Sequence, residues 1–167
     1  MKRLYSFVAL MLLSVSMMAQ GWQTITTEVD ELLGTDGSNI VVYDDNEMGM
    51  FAYYGDNQFA LICKGNYFFN NERDGRLRGQ SVLVGLYDDG ILIDKFNLWL
   101  DEVENQSMKI LMTRNANAMS TPIAQKKKVQ KIIKQLNTER GYVRFVASRY
   151  NASNFDLRVY AHPDGLE

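Results

Sequence analysis

From position 40 onward, apolar and polar residues alternate in short runs broken by Gly, Asp and Asn, the pattern of paired β-strands with two unlike faces. Ile40 to Tyr43 is a short apolar run stopped by Asp44-Asp45-Asn46. Met48, Met50, Ala52 and Tyr54 alternate with Gly49, Phe51 and Tyr53, and Gly55-Asp56-Asn57 then turns the chain. Phe59, Leu61 and Cys63 alternate with Gln58, Ala60, Ile62 and Lys64, so the two runs predict a hairpin. Tyr67 to Phe69 is a further apolar run, followed by a polar stretch over 70–79 that reads as a loop. Val82, Val84 and Leu86 share one face of the next strand, which Asp88-Asp89-Gly90 closes. Asp-Gly suits such a turn because glycine takes positive φ without steric cost. The returning run, Ile91 to Leu100, puts Phe96, Leu98 and Leu100 on one side, and Met108, Ile110 and Met112 mark another strand.

One segment changes period. Val129, Ile132, Ile133 and Leu136 recur at helical spacing after Ser120, Thr121 and Pro122, with Gly141 beyond the end. Ser120 or Thr121 can cap this helix, and Pro122 suits its first turn. Val143, Phe145 and Ala147 alternate with Tyr142, Arg144 and Val146, and Phe155, Leu157, Val159 and Ala161 with Asp156, Arg158 and Tyr160. Before position 40, Trp22 to Thr27 reads as a strand and Glu28 to Leu33 as a helical turn ended by Gly34. Roughly eight short strands and one late helix predict a mainly β (α+β) fold: an antiparallel β-sandwich or open barrel with one helix in its C-terminal half.

The first residues read differently. Lys2 and Arg3 precede a largely apolar run from Leu4 to Met18, closed by Ala19 and Gln20. This is the pattern of a cleaved secretory signal over 1–19, and the run is shorter than the ~20 apolar residues a spanning helix needs. The expectation is a single mature β-rich domain over 20–167, exported to a periplasm or secreted, with no transmembrane anchor after cleavage. No cysteine follows the signal to carry a lipid. Removing Lys2 and Arg3 from 18 basic residues leaves 16 against 20 acidic ones, a net charge of −4. That balance argues against nucleic-acid binding, which needs basic surface to neutralise phosphates.

Three segments read together carry a family resemblance: Phe59-Ala-Leu-Ile-Cys-Lys64, Val82-Leu-Val-Gly-Leu-Tyr-Asp-Asp-Gly90, and the helix Val129 to Leu136 followed by two alternating strands. Their order resembles small exported bacterial proteins, the type VI secretion-associated accessory family and the invasion-associated locus B family. The chain departs from that pattern where Leu86-Tyr87 stands in place of an Arg before the Asp-Asp-Gly turn. The resemblance spans about residues 48–161 and implies a compact β-rich accessory or interaction protein, with no catalytic residues to carry over.

Candidate chemistry is sparse. Cys63 and His162 are the only cysteine and histidine, so no intramolecular disulfide forms and a zinc site of ordinary composition is excluded within one chain. Cys63 shares its face with Phe59 and Leu61, which predicts an inert buried thiol rather than a nucleophile paired with His162. Acidic residues crowd three places: Asp44, Asp45 and Glu47; Asp88 and Asp89; Asp101, Glu102 and Glu104. The first lacks the glycine of an EF-hand loop, and a glycosidase would need two of these groups facing across a cleft. Gly-rich phosphate loops, nucleophile elbows and metal-binding helix motifs are absent.

The helix carries the sharper signal. Lys127, Lys131 and Lys134 fall opposite its apolar face, flanked by Lys126 and Lys128, and three consecutive lysines near a helix N-terminus oppose its dipole. They read either as a solvated face, the commoner outcome, or as an anion-binding face for a glycan, a lipid headgroup or an acidic partner. Tyr142 and Tyr160 occupy the polar faces of the last strands, and Trp99 shares a face with Lys95 and Asn97. Phe51 and Tyr53 lie opposite Met50 and Ala52, more simply as filling for a second core than as a binding surface. The expectation is an exported, non-enzymatic binding or accessory protein that uses no cofactor. Its partner would be another envelope or secreted protein, met through Lys127, Lys131, Lys134, Tyr142 and Tyr160. The alternatives are a carbohydrate-binding module using Trp99 or Tyr160, and a carboxylate-based hydrolase.

Overall fold

A computed structural model describes residues 21–26, 39–64, 70–74, 77–103, 109–114, 121–147 and 155–166. The expected secretory signal over 1–19, the turn expected at Glu28 to Leu33, the run Tyr67 to Phe69 and the cap candidate Ser120 lie outside the described residues. In chain order the elements are β1 (Gly21–Thr26), β2 (Asn39–Asp44), β3 (Gly49–Tyr53), β4 (Phe59–Cys63), β5 (Asn70–Asp74) and β6 (Leu77–Asp88). They continue with β7 (Ile91–Val103), β8 (Lys109–Met112), the helix α1 (Ile123–Leu136), β9 (Gly141–Ala147) and β10 (Asp156–Tyr160).

Every pairing is antiparallel, and the sheet runs β1-β2-β3-β4-β8-β7-β6-β9-β10, with β5 attached to β6. The sheet curls into a half-barrel around α1, the open-barrel form of the expected fold. The stretch 70–79, expected to be a loop, instead supplies β5 and the start of β6. Its residues, Asn-Asn-Glu-Arg-Asp and Leu-Arg-Gly, carry no apolar alternation, so only ladder pairing marks them as strand.

The concave face holds the main core. Phe51, Phe59 and Phe145 stack at its centre, with centroid separations of 4.8 to 5.9 Å, beside Leu61, Val84, Leu98, Leu111, Leu157 and Val159. Val129, Ile132, Ile133 and Leu136 lay the apolar stripe of α1 onto it. Burying such side chains contributes about 1.5–3 kcal/mol each. Pro122, not a hydroxyl residue, is the N-cap of the helix, with no side-chain cap hydrogen bond, and Thr121 is buried. Its end is fixed by close packing, since a Cβ on Gly141 would stand 2.2 Å from the Gln135 carbonyl oxygen.

The opposite parity of β2, β3, β4 and β8 is buried too. Ile40, Val42, Met50, Ala52, Ala60, Ile62 and Ile110 form a second apolar cluster on the outer face. Phe51 and Tyr53 therefore belong to the main core and Met50 and Ala52 to the second, which is why β3 and β4 are buried at every position.

Trp22 bridges the seam between the edge strands β1 and β10. The Trp22 indole N–H donates to the carbonyls of Tyr160 (2.8 Å) and Ala161 (3.2 Å). Its ring meets Tyr43 and His162 edge-on at 5.3 and 4.9 Å. Both expected tight turns form: Asp89 and Gly90 take φ of 48° and 81°, and Gly55, Asp56 and Asn57 are also left-handed.

Candidate functional site

The acidic turns serve local structure. Asp45 accepts the N–H groups of Glu47, Met48 and Gly49 on one carboxylate oxygen, which shapes the β2–β3 loop. Asp44 is buried and pairs with Lys64 at 2.6 Å. Asp101 holds Arg114 and accepts the Trp99 indole N–H. Asp88 and Asp89 stand at one end of the β6–β7 hairpin and Asp101 and Glu102 at the other, so these carboxylates face no common cleft. Among the described residues no three His, Cys, Asp or Glu side chains are grouped to hold a metal ion.

Cys63 is buried, and desolvation pushes its thiol up to about 12, which keeps it protonated and unreactive at neutral pH. His162 packs on Trp22 and accepts the Asp164 N–H on Nδ1. The two residues are each engaged in packing, the structural role expected of them.

The lysines of α1 divide. Lys127 and Lys134 are exposed. Lys131 reaches down to Asp94 on β7 at 2.7 Å, and this bond holds the Asp94 carboxyl below its ordinary range. Lys128 donates to the Asn97 carbonyl at 2.7 Å. Both ammonium groups lie about 6 Å from the Phe96 ring centroid, within cation–π range. The helix is thus laced to β7 by two of its basic residues.

The tyrosines form a row on the outer face. Register sets Tyr87 opposite Tyr142 and Tyr142 opposite Tyr160, with Leu92 opposite Tyr87 at the other end. Tyr87 and Tyr142 stack at 4.5 Å with planes 6° apart, and Tyr142 meets Tyr160 at 5.4 Å. Beneath the row, Arg144 binds both oxygens of Asp156 and hydrogen-bonds Tyr87, while Gly85 leaves room for the Tyr87 ring. Trp99 sits seven residues along β7 from Leu92, about 24 Å away at strand rise, so it shares no surface with Tyr160.

One group escaped the sequence reading. Ile91, Leu92 and Ile93 are 69%, 44% and 55% exposed, directly after the Asp89-Gly90 turn. Ile93 is the extra residue of a bulge, since Leu86 pairs Asp94 while Tyr87 pairs Leu92. Three consecutive exposed aliphatics at a hairpin tip are costly to solubility unless something uses them. The signal was present as an unbroken apolar triplet where alternation should have begun.

These features meet at one end of the molecule. The Gln135 side chain donates to the Tyr87 carbonyl, and Arg140 pairs with Asp89, which brings the end of α1 to the hairpin tip. Lys134, Tyr142 and Tyr160 therefore gather around Ile91–Ile93, whereas Lys127 lies two turns back along the helix. No family model, curated protein or solved structure matches the chain.

Proposed function

We propose that this chain is an exported recognition module that binds another envelope or secreted protein through the end of the half-barrel built by the β6–β7 hairpin tip. The observation that carries this reading is the exposed triplet Ile91-Leu92-Ile93, continuous through Leu92 with the row Tyr87, Tyr142 and Tyr160. Protein interfaces draw their energy from such apolar and aromatic anchors inside a polar rim. Here the rim is Lys134, Arg140, Asp88 and Asp89, all exposed and of both signs. A partner patch of aliphatic residues with interspersed charge fits this chemistry.

The test is affinity capture from the native envelope with the mature chain, compared with an Ile91→Asp/Ile93→Asp variant. These side chains pack little, so the variant should fold and melt like wild type. A dominant protein captured by wild type and lost by the variant is the expected result. Equal capture by both would remove the tip from the interface, and no specific capture by either would overturn the reading.

A further inference from the structure

The β7 strand is paired unequally. β6 accompanies it along almost its whole length, but β8 pairs with it only at Asp101, Glu102 and Val103. Among the described residues, the side of β7 away from β6 has no strand neighbour from Ile91 to Leu100. The Asn97 carbonyl, bonded to Lys128, and the Lys95 N–H, bonded to the Asp94 side chain, mark backbone groups directed to this open side. The guards are light. The Lys131–Asp94 pair is 56% and 39% exposed, and exposed pairs of this kind contribute little net stability.

The helix beside this edge is wholly basic in its charge. Residues 123–136 contain Lys126, Lys127, Lys128, Lys131 and Lys134 and no acidic residue, and Lys95 on β7 adds an exposed ammonium. An unpaired edge supplies hydrogen bonds to any extended chain, and neighbouring side chains decide which chain.

We propose that the side of β7 away from β6, unpaired from Ile91 to Leu100 among the described residues, receives an extended acidic segment of the partner protein as an added strand. The segment's backbone replaces Lys128 at the Asn97 carbonyl and Asp94 at the Lys95 N–H. Its carboxylates take up the released Lys128 and Lys131, and its apolar residues cover Ile91 and Ile93. The proposal rests on the protein-binding reading above and specifies the shape and charge of what is bound. Strand addition gives Lys128 and Lys131 a use over the edge, and Lys128 then serves recognition although it opposes the helix dipole.

The probe is a synthetic eight-residue peptide alternating Val with Glu, beside a control alternating Val with Lys, titrated into the mature protein at low salt. Binding is followed by polarisation, and backbone pairing by amide exchange at Lys95. The Val/Glu peptide is expected to bind, slow exchange at Lys95 and weaken with salt, whereas the Val/Lys peptide does not bind. Lys128→Glu/Lys131→Glu should weaken binding about tenfold or more. Lys95→Pro should abolish it without unfolding the chain, because that N–H lies outside the β6–β7 ladder. Equal binding of both peptides, no binding of either, or binding unchanged by Lys95→Pro would overturn the proposal. Sedimentation of the protein alone separates a second copy as occupant, since a β7–β7 dimer would also refute an acidic partner segment. Envelope capture that persists in the Lys128→Glu/Lys131→Glu variant would sink strand addition while leaving protein binding intact.

Discussion

Replacing Trp22 tests how the half-barrel is closed, because one indole spans the seam between its edge strands. Trp22→Phe keeps a ring against Tyr43, Phe51 and His162 but removes the N–H that serves the carbonyls of Tyr160 and Ala161. Losing a hydrogen bond of this kind costs about 0.5–1.5 kcal/mol. Trp22→Ala also removes the edge-on aromatic contacts, each worth about 0.5–1.5 kcal/mol beyond area, and the apolar burial of a partly covered ring. The expected sum for Trp22→Ala is about 3 kcal/mol, which for a chain of this size lowers Tm by about 6–12 °C. Urea and thermal melts give the two losses, and amide exchange locates them. Opening should be enhanced in β1 and β10 in both variants and much less in β6, which has strands on both sides. If Trp22→Phe were as stable as wild type and Trp22→Ala cost under about 0.5 kcal/mol, the indole would not be holding the seam.

Three further outcomes follow from particular contacts. Gly141→Ala drives a methyl against the Gln135 carbonyl, 2.2 Å from an ideal Cβ, and should destabilise by about 2 kcal/mol or more in a urea melt although glycine is usually the weaker residue in a strand. Cys63, with its thiol at about 12, should resist a thiol reagent at pH 8 for hours in the folded protein and react within minutes in guanidinium; fast reaction in the native state would contradict its burial. Arg144 holds Asp156 below the ordinary carboxylate value of 3.8, so its contribution is full above that value and is lost as pH falls through the lower folded one. The stability gap between wild type and Asp156→Asn should therefore be widest near pH 6 and shrink below about pH 4, and a gap independent of pH would refute the ion pair.

Alternation was a sound guide wherever one face of a strand meets core and the other meets polar surroundings. β6, β9 and β10 were legible for that reason, as was the Asp89-Gly90 turn, whose φ values require its residues. β5 was not legible, because Asn70–Asp74 carries no apolar alternation and its pairing with β6 has no local signature. The cap of α1 differed in another way: Thr121 had the right chemistry for an N-cap but is buried, and the N-cap position is Pro122, with no side-chain cap hydrogen bond.

For the candidate site, the sequence showed which side chains point outward but not which of them share a surface. Tyr142 and Tyr160 came together with Tyr87 because two strand registers align them, and register between distant strands has no local signature. The lysine stripe was visible from helical spacing. That Lys128 and Lys131 stand over the side of β7 that β8 pairs, among the described residues, only at Asp101, Glu102 and Val103 is visible in the assembled sheet and not in the sequence.

The most direct test of a recognition surface at the hairpin tip is site-specific photocrosslinking in the native envelope. A photoreactive residue in place of Ile93 is compared with one in place of Thr24, exposed on the edge strand β1. The account predicts one discrete protein adduct from position 93 and none from position 24. No adduct at 93, or the same adducts from both positions, would contradict it.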